Sequence, residues 1–301
     1  MNRKPIIASA LLVFAACSTE SPEPVSQGER IPIEFNVDCA ISQYAVSKAV
    51  APVTNESLDS FRCCAARGEA GSSDTYAWTN VDFVRYTHAY TGGQYWPDSD
   101  PSYHFYASNA QMTANSGHAP TVTVTDARDI VCAYLPAGKF RSTNRLIFEH
   151  ILSRVDEMTV TAQEGYTASD IHISLTPKTG GTYDILAGAG REDATGWSDI
   201  TDGATYFPFS ALSITTAGGT IHQSLNDLYL VPGLYDITAS FTLSKGDYNL
   251  TRKNATGSLT IKKGKINTIR VGLKGGNASE IDLSIGVKEW GDPVNIDVTL
   301  Q

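Results

Sequence analysis

Apolar and polar residues alternate along most of this chain, and that period of two constrains the fold more than any other feature. Ile31, Ile33, Phe35, Val37 and Cys39 alternate with Pro32, Glu34, Asn36 and Asp38. Successive side chains of a strand point to opposite faces, so the pattern predicts a strand with one face buried. Pro32 has no amide hydrogen and belongs at the strand's start or on an edge. The alternation recurs at 121–125, 171–175, 237–243, 258–261, 266–273 and 281–287. Glycine-rich turn signals separate these runs, among them Gly92-Gly93, Gly180-Gly181, Gly218-Gly219, Lys263-Gly264-Lys265 and Gly275-Gly276-Asn277. Helical periodicity is nearly absent, and its best candidate, Leu146–Val155, fits neither a helix nor a strand well. Many short strands between frequent turns predict an all-β sandwich architecture.

A chain of 301 residues, 42% of them hydrophobic, has the length of two domains and enough apolar surface for a core in each. Ile130–Tyr134 reads as a closing strand, and Pro136, Gly138 and the polar residues through Asn144 interrupt the pattern. The expected division is therefore an N-terminal sandwich over 28–142 and a C-terminal sandwich over 143–301.

The first residues carry an export signal. Arg3 and Lys4 precede an apolar run from Ile6 to Phe14, which ends in Ala15-Ala16-Cys17. A basic start, a short apolar stretch and small residues before a cut form a secretory signal, too short to span a bilayer about 30 Å thick. Phe14-Ala15-Ala16-Cys17 has the form of a bacterial lipobox, which makes residues 1–16 the signal peptide and Cys17 the lipidated residue. A signal without lipidation is the alternative. Residues 17–27, polar and containing Pro22 and Pro24, suit a tether. The later cysteines are Cys39, Cys63, Cys64 and Cys132. Their spacing is neither a disulfide framework nor a zinc site, and their pairing stays open.

At the other end, after Trp290-Gly291-Asp292-Pro293, come Val294, Ile296, Val298 and Leu300 alternating with Asn295, Asp297 and Thr299. This amphipathic tail, 290–301, has the same pattern as the strand at 31–39. Either these are two ordinary terminal strands, or one can occupy the place of the other.

Motifs for chemistry are missing. Gly196-Trp197-Ser198-Asp199-Ile200 lacks the closing glycine of a nucleophile elbow, and Gly188-Ala189-Gly190 has Asp193 where a dinucleotide fingerprint needs its third glycine. Asp98-Ser99-Asp100 lacks the rest of a calcium loop, and the six histidines are scattered. Neither an enzyme, a metal nor a cofactor is expected. The net charge of -9 argues against nucleic acid, which needs a basic footprint. Tyr86, Tyr90, Tyr95, Trp96, Tyr103, Phe105 and Tyr106 form an aromatic cluster. Such residues fill sandwich cores, or, centred on Trp96, make a platform for glycans.

Taken in order, several short motifs resemble the fimbrillin-like family, the subunits of surface fimbriae in Bacteroides-type bacteria. They are the lipobox at Cys17, Ile33-Glu34-Phe35, the run Thr54–Phe61, Asn80-Val81, Tyr95-Trp96-Pro97, Tyr103–Ala107 and Asp129-Ile130-Val131. The second half adds Leu146–Arg154, Leu230-Val231-Pro232-Gly233, Lys263–Asn267 and Val287–Trp290. The resemblance implies two transthyretin-like β-sandwich domains in tandem and a lipid-anchored outer-membrane protein whose partners are other fimbrial subunits. It also implies a surface protease that removes the first strand, here Ile31, Ile33, Phe35 and Val37. A neighbour's C-terminal strand, here represented by Val294, Ile296, Val298 and Leu300, then takes its place. The family's processing arginine precedes an alanine, and this chain has Lys48 before Ala49. An arginine-specific protease does not cut there, whereas a trypsin-like one does. An unprocessed anchor or tip subunit is therefore the second reading, and a monomeric glycan-binding lipoprotein the third.

Overall fold

The computed structural model describes residues 30–39, 53–72, 74–97, 103–125, 128–138, 140, 144–275, 281–289 and 296–298. The signal peptide, Cys17, the tether, Lys48, Ala49, Val294 and Leu300 lie outside the described residues.

Alternating residues set the strands of the first half: β1 (Pro32–Cys39), β2 (Ser60–Arg67), β3 (Thr75–Tyr86), β4 (Ala89–Tyr95), β5 (His104–Ser108), β6 (Met112–Thr113), β7 (Thr121–Val124), β8 (Val131–Leu135) and β9 (Asn144–His150). Seven of them close into a barrel of order β1-β4-β3-β2-β5-β8-β9. The sheet closes because β1 pairs antiparallel with β4 on one side and parallel with β9 on the other. Closure removes the unpaired edges that an open sheet presents. Residues 144–150, on the C-terminal side of the 142/143 division, supply the strand that completes this barrel. Leu146–Val155 is thus strand on both sides of a bend at Ile151-Leu152.

The rest of the chain forms β10 (Ser153–Ala162), β11 (Thr167–Leu175), β12 (Lys178–Asp184), the single-turn helix α1 (Ile185–Gly188), β13 (Trp197–Asp202), β14 (Tyr206–Ile214), β15 (Thr220–Leu230), β16 (Gly233–Lys245), β17 (Tyr248–Ile261), β18 (Lys265–Leu273), β19 (Asp282–Glu289) and β20 (Ile296–Val298). Two sheets, β15-β10-β18-β19-β20 and β14-β11-β16-β17, enclose a core that includes Met158, Val160, Ile171, Ile173, Ile237, Phe241 and Ile269. Here too the leading strand pairs parallel with a late one, β10 with β18.

A third, small sheet, β13-β12-β7-β6, joins strands from both halves through the antiparallel pairing of β12 with β7. It covers the outside of the barrel over a second core containing Cys64, Tyr106, Val122, Cys132 and Tyr183. Adjacent Cys63 and Cys64 illustrate the alternation: Cys63 lies in the barrel interior and Cys64 in this outer layer. All four described cysteines are buried and free.

Candidate functional site

β1 is the element that the tail would have to replace, and its environment is built from the residues upward. Its inward positions are Ile33, 1% exposed, Phe35, 0%, and Cys39, 4%, with Ile31 and Val37 partly buried against the same core. The outward Glu34, Asn36 and Asp38 keep the alternation read from the sequence. Pro32 stands at the start of the strand opposite Tyr95, where a register shift precedes Glu34. Phe35 faces Tyr90 of β4 and Asn144 of β9, so its backbone is flanked on both sides.

The Phe35 ring lies 5.0 Å from that of Phe83 and 5.0 Å from that of Phe105, both edge-on, and 6.1 Å from that of Phe61. These partners come from β3, β5 and β2, across the barrel. Aromatic pairs in this geometry contribute about 0.5–1.5 kcal/mol each beyond their buried area. The ring cage is the part of the site that the sequence reading missed. Phe61, Phe83 and Phe105 each sit in an alternating run, but one sequence holds no signal that three distant strands converge on one ring.

Polar contacts fasten the ends of β1. The Trp96 N–H donates to the Ile31 carbonyl at 2.9 Å. At the other end the Cys39 N–H donates to Asn55 Oδ1, and Arg145 on β9 pairs with Asp38. Asn55 belongs to a turn held by the Leu58 N–H donating to the Thr54 carbonyl at 2.9 Å. Asp129, buried, accepts from the Val53 N–H at 2.6 Å and lies 2.6 Å from His150 Nδ1. The return from β1 is thus anchored by the motif at 54–61 and by Asp129.

The tail is held differently. Ile296 and Val298 fall in β20, which pairs antiparallel with β19 through Ile285↔Val298 and Val287↔Ile296. Among the described residues β20 is the terminal strand of its sheet and has one hydrogen-bonded neighbour. The structure therefore places the candidate first strand and the described part of the candidate donor in different sheets.

Trp96 is 4% exposed, with its ring against Tyr103, Phe105 and Phe140 at 5.8, 6.0 and 5.8 Å. A Cβ at Gly138 would lie 2.3 Å from the Phe105 ring and 3.1 Å from Trp96, so the chain passes directly over these rings. Burial on this scale places the Trp96 ring in the core, the first of the two readings of the aromatic cluster. Tyr86, 72% exposed, and Tyr95, 47%, are the members of the cluster that face outward.

Each of the two buried histidines pairs with a buried aspartate, His150 with Asp129 and His104 with Asp74. His104 Nε2 lies 2.5 Å from Asp74 Oδ1, and the Tyr106 hydroxyl donates to Asp74 Oδ2 at 2.9 Å. Among the described residues no group of three or more His, Cys, Asp or Glu is placed to hold a metal ion. Among them, too, no helix is long and apolar enough to cross a membrane.

Comparison with known proteins bears on this arrangement. No curated protein matches the chain. Solved structures similar to it include a candidate cell adhesion protein of Parabacteroides distasonis, with a TM-score of 0.50, 9% identity and coverage of 88% of this chain and 98% of that one. Another, from Bacteroides uniformis, has a TM-score of 0.42 at 14% identity, covering 87% of this chain and 99% of that one. Likeness at such identity speaks to the fold alone. The sequence profile of the fimbrillin-like family matches residues 48–290, leaving β1 and β20 outside. By that match, which takes in most of the chain, the protein belongs to the fimbrillin-like family.

Proposed function

We propose that this protein is a non-catalytic structural subunit of a surface fimbria, exported as a lipoprotein through Cys17 and joined to other subunits by strand exchange at the β1 position. The observation that carries this reading is β1 itself: a short N-terminal strand inserted between β4 and β9, with Ile33 and Phe35 buried in the barrel. Removing it leaves a slot with two unpaired strand edges and an apolar floor, which another strand can fill by backbone pairing and side-chain pockets. Each half also opens with a strand paired in parallel to a late one, which supports two related transthyretin-like units in tandem.

Energetics give the order of events. Four buried aliphatic side chains of a donor contribute roughly 6–12 kcal/mol gross, at about 1.5–3 kcal/mol each. A resident strand on the same chain competes at an effective concentration on the order of mM, and a separate subunit also meets an association cost of about 4–15 kcal/mol. The resident strand therefore holds the slot until it is cut away, with Lys48-Ala49 as the cut.

The test is to treat the chain, without its signal peptide, with trypsin and follow mass, N-terminal sequence and assembly by electron microscopy. Cleavage after Lys48 with conversion to SDS-resistant assemblies, by the chain alone or mixed with partner subunits, is the expected result. Clean cleavage with a persistent monomer, alone or mixed with partner subunits, overturns strand exchange. The lysine at 48 favours a second reading, an anchor or tip subunit that keeps β1; a chain recovered from fimbriae with its N-terminus still upstream of Lys48 decides for it.

A further inference from the structure

The slot occupied by β1 is not a uniform apolar groove. At its centre the Phe35 ring meets Phe83 at 71°, Phe105 at 84° and Phe61 at 67°, an edge-to-face contact in every case. The three partners stand on β2, β3 and β5, whereas the strands that flank β1 are β4 and β9. The cage is thus part of the opposite barrel wall and stays behind when β1 leaves. Its rings are held by contacts of their own: Phe61 stacks on Phe83 at 5.7 Å and 5°, and lies 5.2 Å from Phe148. Phe105 is braced by Trp96 at 6.0 Å. A close-packed wall of this kind does not collapse around a smaller side chain, so an aliphatic residue placed there leaves a cavity.

The tail of this chain offers no residue of the right shape. Its apolar positions are Val294, Ile296, Val298 and Leu300, and its other face is Asn295, Asp297 and Thr299. Whichever register the tail takes, the cage receives a valine, an isoleucine or a leucine. The nearest aromatic, Trp290, is cut off from the alternating run by Gly291-Asp292-Pro293.

Building on the strand-exchange reading, we propose that the β1 slot accepts a strand from a different subunit, one with an aromatic side chain at the level of Phe35 and aliphatic residues two positions to either side. This chain's own tail is a poor donor for its own slot, so the protein takes its place in a mixed assembly and not in a polymer of identical copies. The residues flanking Phe35 on the inward face, Ile33 and Val37, define the aliphatic positions, and the buried Cys39 asks for a small residue beyond them.

The experiment uses the full chain carrying Phe35→Ala and cut after Lys48, so that the loosened resident strand can leave, with Phe35→Leu as a milder second variant should the first fail to fold. Fluorescent peptides are added and binding is read by anisotropy: residues 30–39, the native tail 292–301, and the tail with Ile296→Phe or Val298→Phe. The expected result is that the 30–39 peptide and one of the phenylalanine-bearing tails bind at least about tenfold tighter than the native tail, the ratio that one or two lost aromatic contacts give. Native tail binding as tight as the best phenylalanine-bearing tail overturns the aromatic requirement while leaving strand exchange intact. Failure of every peptide, 30–39 included, on a folded variant overturns strand exchange at this slot and the present inference with it.

Discussion

Lys263 Nζ lies 2.9 Å from Glu149 Oε2, joining the turn between β17 and β18 to the last strand of the barrel. The same ammonium donates to the Gly188 carbonyl at 2.6 Å and to the Tyr183 hydroxyl at 3.1 Å, and the side chain is 4% exposed. One buried cation thus fastens three parts of the molecule: the barrel, the small sheet and the α1 turn. Gly264, with a φ of 65°, lets the chain turn immediately after it, and its N–H donates to the Leu152 carbonyl at 3.1 Å.

Replacing that cation tests how much the seam depends on it. Lys263→Met keeps the aliphatic stem and removes the donors, leaving the Gly188 carbonyl and Tyr183 hydroxyl without their charged partner. The expected loss is about 1.5–3 kcal/mol, the range for hydrogen bonds to a charged group. Urea unfolding checks it, and a midpoint equal to that of the parent chain would show that the seam is held by packing alone.

The small sheet makes a second prediction about the same seam. A fragment of residues 28–142 lacks β9, so the barrel cannot close, and it lacks β12, the partner of β7. Produced alone, it should bind hydrophobic dyes and show no near-ultraviolet circular dichroism; produced together with 143–301, it should recover both the fold and the dichroism. A fragment with sharp, native-like spectra on its own would count against this.

Trp96 separates core from binding platform by a stability measurement. With the ring buried under Gly138, Trp96→Ala should cost about 3–5 kcal/mol, as large-to-small changes in a packed core do. A variant of unchanged denaturant midpoint would place the ring outside the core.

The cysteines predict a response to alkaline pH. Burial pushes the Cys39 and Cys132 thiols up to about 12 and Cys64 up to about 11, from an ordinary value of 9.0. Asp129 adds to the effect at Cys39, and the Asn80 N–H and the Ser108 hydroxyl oppose it at Cys64 and Cys132. With folded values raised, the unfolded chain releases its thiol protons first as pH climbs. Stability is thus full below pH 9 and falls between about 9 and 12, by up to about 1.4 kcal/mol per pH unit for each thiol. Urea midpoints at pH 8, 9.5 and 10.5 should descend. Iodoacetamide at pH 8 should leave Cys39, Cys64 and Cys132 unlabelled in the folded chain and modify them after unfolding.

Much of this was readable from single strands. The alternation at 31–39 located β1 and assigned Ile33 and Phe35 to its buried face; the runs at 171–175, 237–243 and 266–273 located β11, β16 and β18. β9 resisted because Ile147 is 53% exposed, an apolar residue on the outer face that blurs the inward series Leu146, Phe148 and His150. Ile151 and Leu152, buried in the bend that follows, extended the apolar run past the strand's end. The pairing of Phe35 with Asn144 and of Tyr183 with Val122 links residues whose separation in sequence leaves no local trace. The same holds for Trp96: composition put it among aromatics, and only the pass of Gly138 over its ring decided which face was covered.

The two ways of holding a strand described for β1 and β20 differ most when the molecule is pulled. β1, or any occupant of its slot, is laced along both long edges, to β4 and to β9, so tension along its axis loads those rungs together in shear. β20 is laced along one edge over three residues. Load carried by the tail therefore parts the β20 rungs long before it draws a strand out of the barrel. Under the proposed strand exchange, a joint made at the slot would outlast the pairing of β20 with β19, so the first contact to give under load would lie within one subunit and not between two.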